Sequence, residues 1–317
     1  MYSDWYHARF PDGSAPAGPL PAEALSVKIV LIDFHTHTSA SDGALTPVEL
    51  LERAVAQNID LLAVTDHDTV AGYKAAAAHY THISSSLRLV SGVELSCRWS
   101  GATIHVVGLG IDIESAVMQQ GLGRLDRARI ERGEKIAEGL AKKGFPGALA
   151  GAMQEAGDSQ LGRPHFSAWM VKQGHVADHN QAFDRYLGQG KMGDVKAFWP
   201  ELAEVTGWIV EAGGVAVLAH PLKYRFTRMK LHRLVKDFVA AGGEAIELIS
   251  ARQTADQLAQ LARLAREFEL EVSLGSDFHR DGPYSPELGV ELPQLEGLQG
   301  VWQRFAQQHP RQEETIK

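Results

Sequence analysis

Nine side chains in this sequence carry the donor atoms that divalent cations prefer, and they fall in short clusters. His35 and His37 are separated by one residue in Asp33-Phe34-His35-Thr36-His37, and Asp42 follows in Ser41-Asp42-Gly43. His67 lies between Asp66 and Asp68, Glu94 follows Gly92-Val93, His105 sits within Thr103–Gly108, His220 precedes Pro221, and Asp277 and His279 flank Phe278. Alternate residues of a strand share a face, so His35 and His37 can chelate one ion together. A lone histidine at a strand end is usually a satisfied rim or core residue. Glu94 weighs more, because a carboxylate inside an apolar strand is costly unless paired or metal-bound. The donors are nitrogen and oxygen with no thiolate among them. They therefore suit Mn²⁺, Zn²⁺ or Fe²⁺ rather than a cysteine-type structural zinc. Nine donors exceed what one ion accepts, so two or three ions are expected.

The elements that must position these residues are also readable. Seven short apolar runs have the length and composition of strands: Lys28–Phe34, Leu61–Thr65, Leu87–Val90 running into Val93–Ser96, Thr103–Gly108, Val215–Ala219, Ala245–Ile249 and Glu271–Leu274. Helical patterns separate most of them. Thr46-Pro47-Val48-Glu49 is a helix start, with a capping threonine, a proline at the first turn and a glutamate that completes a capping box. Strand–helix alternation predicts an α/β fold with a parallel sheet, open or closed into a barrel. In such sheets the carboxyl ends of the strands share one face, and six of the seven expected strands deliver a metal-type side chain there.

Between 113 and 199 the alternation stops. No run reads as a strand, and Ser115–Lys143 has the pattern of a long charged amphipathic helix. This stretch is expected to be a helical insertion lying over the site as a lid, flanked by barrel segments 28–112 and 200–295. Residues 1–27, rich in proline, glycine and alanine, are expected to be a flexible extension. With 317 residues, 44% of them hydrophobic, the chain has enough apolar material for a full-sized core. A net charge of -8 argues against broad binding to long nucleic acid, though not against a local pocket for a small anion. Cys97 is the single cysteine, so no internal disulfide forms; it reads as a core thiol in a reducing, cytoplasmic setting. No apolar run is long enough to span a membrane.

In these motifs the sequence resembles the PHP family, named for polymerase and histidinol phosphatase domains. Asp33-Phe34-His35-Thr36-His37 with Ser41-Asp42-Gly43, Thr65-Asp66-His67-Asp68, Gly92-Val93-Glu94, the His105 strand, Leu218-Ala219-His220-Pro221 and Gly275-Ser276-Asp277-Phe278-His279 carry the likeness, in order, from about 28 to 290. The resemblance implies a distorted (β/α)₇ barrel. It implies that His35, His37, Glu94 and Asp277 hold one ion, that Asp42, His67, Glu94 and His220 hold a second, and that His105 and His279 hold a third. Asp42, Glu94, His220 and Asp277 are then catalytic through the ions they carry. Asp66 and Asp68 are expected to support ligands from behind.

The insertion is similar to that of a subgroup of small-nucleotide phosphatases and 5′→3′ exoribonucleases, on the strength of Arg129-Ile130-Glu131-Arg132, Gly162-Arg163-Pro164-His165-Phe166 and the stretch from Gly190-Lys191 to Trp199. The implied reaction is hydrolysis of the 3′-phosphate of a nucleoside 3′,5′-bisphosphate by a hydroxide bridging two ions. Arg129, Arg132, Arg163, His165, Lys191 and Lys196 are candidates for holding a second phosphate, with the competing reading that Arg129 and Arg132 face solvent or pair with Glu131 and Glu134. Trp199 and Phe198 would either stack on a base or pack in the core. Rival readings are trimming of short 5′-phosphorylated RNA, a histidinol-phosphate phosphatase, and a non-catalytic domain that binds metal or nucleotide for regulation.

Overall fold

The apolar runs become strands buried on both faces. β1 (Leu31–Asp33), β2 (Leu61–Val64), β3 (Arg88–Trp99), β4 (Ala102–Leu109), β5 (Val215–Leu218), β6 (Ala245–Ser250), β7 (Glu271–Gly275) and β8 (Val290–Glu291) form one sheet in the order 7-6-5-4-3-2-1-8. The computed structural model describes residues 31–83, 86–196, 198–283, 285–294 and 297–306. The expected extension 1–27 and the first residues of the expected strand at 28 lie outside the described residues.

The pairs β1–β2, β2–β3, β5–β6 and β6–β7 are parallel. Among the seven expected strands the parallel pattern fails at β4, which runs antiparallel to both β3 and β5. This is the connection that lacks a helix. Only Ser100 and Gly101 join β3 to β4, at φ 46° and 75°. Two consecutive left-handed residues make the tight hairpin turn that suits antiparallel neighbours. The reversal leaves His105 near the start of β4, at the same rim as the carboxyl ends of the parallel strands.

The sheet closes where the segment after β1 meets the end of β7. Phe34 N–H donates to Leu274 O at 3.0 Å, and Asp277 N–H donates to His35 O at 2.8 Å. Gly275 permits this approach, since a Cβ there would lie 2.3 Å from His35 Cβ. At the opposite end the gap is filled by β8, antiparallel to β1, and by Gly300, bridged to Val272 of β7. Neither piece was expected, as both are too short to show a period. The result is a nearly closed, distorted barrel.

Helices cover it: α1 (Pro47–Ala56), α2 (Ala71–Tyr80), α3 (Ala116–Lys142), α4 (Ala148–Ala156), α5 (Arg163–Lys172), α6 (His179–Ala182), α7 (Leu202–Glu211), α8 (Arg228–Ala240), α9 (Ala255–Glu267) and α10 (Trp302–Ala306). The capping box before α1 forms as read, with Thr46 and Glu49 each bonding the other's backbone N–H. Between β4 and α7 the described residues contain helices and turns but no strand. They carry their own apolar core around Ile136, Leu140, Phe166, Trp169 and Met170. Helix α3 belongs to both cores, since Met118, Leu125 and Ala128 pack with the barrel. No helix among the described residues is long and apolar enough to cross a membrane.

The closure generates a prediction. Gly275→Ala should lower the unfolding free energy by about 1–3 kcal/mol, the usual cost of overpacking. Chemical denaturation of the purified protein measures this, and an unchanged midpoint would show that the β1–β7 seam has slack.

Candidate active site

Glu94, fully buried on β3, is the centre of the rim. Its Oε2 lies 2.9 Å from His67 Nδ1 and 3.3 Å from Nε2 of both His35 and His37. Its Oε1 lies 2.9 Å from His105 Nδ1 and from His220 Nε2. Asp277 Oδ1 is 3.4 Å from His37 Nε2 and 3.6 Å from His35 Nε2. Asp42 Oδ1 is 3.3 Å from His279 Nε2, and Asp42 Oδ2 is 4.0 Å from His67 Nε2. The structure thus gathers all nine donors expected from the sequence.

Four overlapping groups have the spacing to hold a cation: His35–His37–Glu94, His35–His220–Asp277, His67–Glu94–His105 and His37–Asp42–His67–His279. This departs from the expected third set, because His105 and His279 do not share a group. His105 reaches the rim on the reversed strand beside β5, and its Nδ1 is 3.3 Å from His220 Nε2. His279 follows β7 across the barrel seam and stacks on His37, ring centroids 4.1 Å apart.

The donor set fits metal ions. His37 Nδ1, His67 Nδ1, His220 Nδ1 and Glu94 Oε2 are buried without a hydrogen-bond partner in the protein, and His35 Nε2 faces His37 Nε2 at 3.1 Å. Unpartnered nitrogen and oxygen donors converge on shared points, an arrangement that a cation would resolve. Burial, reinforced by His279 and His67, pushes the His37 imidazole down to about 3, so the ring is neutral and offers one nitrogen as a donor. Burial opposes ionisation of Glu94, but His67, His105 and His35 outweigh it and hold the carboxyl well below the usual range. For Asp42 the countering imidazoles are chiefly His67 and His279, and for Asp277 chiefly His35 and His37, with the same result.

Supporting residues fix these donors. Asp66 accepts from Thr38 N–H at 2.7 Å, Thr38 Oγ1 at 2.6 Å and Ser41 Oγ at 2.6 Å, which holds the turn leading to Asp42. His220 and Asp277 take left-handed backbone angles, φ 30° and 57°, where the chain leaves β5 and β7; such angles persist only where the surroundings enforce them. Glu247 escaped the sequence reading. Its Oε1 accepts from His35 Nδ1 at 2.5 Å, leaving Nε2 for the site, and its Oε2 accepts from His220 N–H at 2.5 Å. It is a lone carboxylate in the apolar run Ala-Ile-Glu-Leu-Ile, the same signal that marked Glu94. Lys223, paired with Asp277, has no comparable signal.

A cavity of about 320 Å³ opens from this cluster. Asp42, His67 and His105 line one side, and Arg129, Arg132, Arg163 and Lys196 from the insertion line another. The two arginines of α3 are not on a solvent face: Arg129 is 6% and Arg132 8% exposed. Asp68 does not support a ligand as expected. Its Oδ1 accepts from Ser96 N–H at 2.6 Å, and its Oδ2 pairs with Arg129 Nε at 2.7 Å and Nη2 at 2.6 Å. Arg132 donates through Nε to Val195 O at 3.0 Å and forms no ion pair with a described carboxylate. Burial, then Arg163 and Arg129, push its pKa down to about 9. A buried guanidinium in this setting calls for an anion. Trp199 is buried beside both guanidiniums, 5.5 and 5.3 Å from its ring centroid, and packs rather than offering a stacking face.

Two expected substrate contacts are not brought to the cavity. His165 is turned into its own helix start, where Nδ1 accepts from Gly162 N–H at 3.0 Å and Nε2 lies 3.3 Å from Ser159 Oγ. Lys191 is exposed on a turn between Gly188 and Asp194. Lys196 does reach the cavity and pairs with Asp194 at 2.9 Å.

The PHP domain profile matches residues 33–161, from the start of the His-x-His motif into the insertion. The chain belongs to the PHP family, and it is a metal-dependent hydrolase of phosphoric ester bonds. It is 41% identical over 273 residues to a 5′-3′ exoribonuclease of Haemophilus influenzae, covering 86% of this chain and 98% of that one. It is 40% identical over 277 residues to a 3′,5′-nucleoside bisphosphate phosphatase of Chromobacterium violaceum, covering 86% and 96%. Among solved structures, an amidohydrolase from Chromobacterium violaceum with bound sulfate and no metal superimposes with a TM-score of 0.78 at 38% identity, covering 87% of this chain and 95% of that one. These relatives set aside the non-catalytic reading.

The buried Asp68–Arg129 pair ties the barrel to the insertion and generates a prediction. Arg129→Met leaves the Asp68 carboxylate buried without its partner, which should cost about 3–5 kcal/mol of stability. Urea unfolding measures it; a loss below 1 kcal/mol would mean that water reaches this pair.

Proposed function

We propose that the chain hydrolyses the 3′-phosphate of nucleoside 3′,5′-bisphosphates, giving the 5′-monophosphate and inorganic phosphate. The carrying observation is a single cavity with two centres: nine cation donors on one side, and Arg132, buried without a carboxylate, on another. A substrate with one phosphate would leave the second centre without a charge partner. Histidinol phosphate, with its single phosphate and its ammonium group, is disfavoured for that reason. The reading is supported by the Chromobacterium violaceum relative named for this activity. The buried, unpaired Cys97 agrees with a reducing, cytoplasmic setting.

His35, His37, Glu94 and Asp277 would hold one ion, Glu94, His105 and His220 a second, and Asp42, His67 and His279 a third; nitrogen and oxygen donors of this kind suit Mn²⁺, with Zn²⁺ and Fe²⁺ as alternatives. When bound, such ions acidify water and neutralise charge on phosphoryl oxygens. Glu247 holds His35 and the His220 backbone at fixed angles to that site. Arg132, with Arg163 and Lys196 beside it, binds the phosphate that is not cleaved. Packing against Trp199 and the bond to Val195 O keep its guanidinium in place.

A second reading, 5′-3′ exoribonuclease activity on short 5′-phosphorylated RNA, has the support of the Haemophilus influenzae relative. It uses the same two centres, with a phosphodiester in place of the 3′-monoester.

His37→Ala and Asp277→Ala should each abolish phosphate release while the circular dichroism spectrum is retained. Dialysis against a chelator should do the same, with recovery on adding Mn²⁺ and two to three ions per chain by elemental analysis. Arg132→Ala should raise KM for a 3′,5′-bisphosphate about 10–100-fold, the value of a charge-assisted contact. The same variant should leave turnover of a nucleoside 3′-monophosphate unchanged. Equal losses on both substrates would refute the two-centre reading.

A further inference from the structure

Asp33 ends β1 fully buried, yet it belongs to none of the four cation groups. Among the described residues no cationic side chain pairs with it. A buried carboxylate without a counter-charge is costly unless hydrogen bonds meet it. Here three backbone N–H groups do. Oδ1 accepts from His35 N–H at 3.3 Å and from Ser276 N–H at 2.9 Å, and Oδ2 accepts from Gly289 N–H at 2.8 Å. These donors come from three separate pieces of chain: the segment after β1, the turn after β7 and the residue that enters β8.

The two bonds to Oδ1 straddle the barrel seam. Ser276 precedes Asp277, and Asp277 N–H donates to His35 O at 2.8 Å. Asp33, His35, Ser276 and Asp277 therefore form a closed ring of hydrogen bonds. The turn is held onward from the ring. Ser276 Oγ accepts from Phe278 N–H at 3.1 Å, and His37 N–H donates to Phe278 O at 2.9 Å. Asp277 sits inside this turn at φ 57°, an angle that an L residue keeps only where its surroundings enforce it. The side chains that leave the ring are cation donors, with His35 Nε2 and Asp277 Oδ1 3.6 Å apart.

We propose that Asp33 is a positioning residue for the metal centre: its carboxylate sets the separation of His35 and Asp277 across the seam, and with it the affinity for the ion they share. This rests on the ligand partition given under the proposed function and deepens it. Glu247 fixes the His35 ring from behind, whereas Asp33 fixes the backbones of both partners. Only a carboxylate of this length can do so. Both of its oxygens accept, and donors approach both. An amide has one acceptor, so its NH₂ would face either Gly289 N–H or the N–H groups of His35 and Ser276. One side of the ring, or the entry to β8, is then opposed by a donor. The ion assigned to Glu94, His105 and His220 has no ligand in the ring.

The test titrates Mn²⁺ into full-length protein freed of metal, followed by calorimetry, so that binding is read apart from turnover. Asp33→Asn should weaken one ion about 10–100-fold, the usual cost of losing a residue that orients ligands, and leave another within about twofold. The Mn²⁺ concentration for half-maximal turnover of a nucleoside 3′,5′-bisphosphate should rise by the same factor, with KM for the bisphosphate unchanged. Ser276→Ala keeps the carboxylate and removes the acceptor for Phe278 N–H. It should weaken the same ion by a smaller factor, and it decides the matter if Asp33→Asn does not fold. Isotherms that match the wild type in these variants, with only a lower melting temperature, would overturn the positioning role and leave Asp33 a structural residue. Equal weakening of every ion would overturn it too, because general loosening of the barrel then suffices. Wild-type protein that binds Mn²⁺ but leaves the bisphosphate untouched would sink the substrate reading alone.

Discussion

A carboxylate buried at the centre of a protein is tolerable only if positive charge or hydrogen-bond donors meet it, and Glu94 organises the rim around that requirement. Five imidazoles meet its two oxygens: His35 and His37 from the segment after β1, His67 from the loop after β2, His105 from β4 and His220 from the end of β5. Neighbouring strands β1 to β5 supply these five, and closure of the sheet adds Asp277 and His279 from the far edge. The seam at β1 and β7 is therefore part of the site as well as part of the fold. Where it closes, His35 and Asp277 exchange a backbone hydrogen bond, and both side chains enter the cluster.

The barrel and the insertion divide the electrostatic work. Barrel residues supply imidazoles and ionised carboxylates, a set that attracts cations. The insertion supplies guanidiniums, a set that attracts anions. Asp68 joins the two: its position after β2 belongs to the barrel, yet its partner Arg129 belongs to the long helix of the insertion. The pairing spends one arginine on architecture and leaves Arg132 without a carboxylate partner among the described residues.

Much of this was legible in the chain. His35-Thr36-His37, Asp66-His67-Asp68 and Asp277-Phe278-His279 announce themselves because donors at strand ends recur in one order, and Thr46 with Glu49 spells out a helix start. Three features were not read. The reversal of β4 was written in Ser100-Gly101, but a strand's period carries no direction, so the turn alone held that information. Glu247 satisfied the burial argument applied to Glu94 yet lacked a neighbouring motif. The partition of ligands depends on which strand lies beside which, and spacing along the chain does not encode that. His165 and Lys191 misled because residue type was weighed without knowing which way the local turn faces. His165 caps its own helix, and Lys191 sits on an exposed turn.

Helix α3 runs without interruption from the barrel core at Met118 to the insertion core at Leu140, and Arg129 and Arg132 stand midway. A continuous helix advances 1.5 Å per residue and resists bending, because each step is locked by a backbone bond. In the two-phosphate reading proposed above, the separation between Arg132 and the rim would thereby be set in advance. On that reading the helix would work as a calliper, sorting ligands by the distance between their two charged ends.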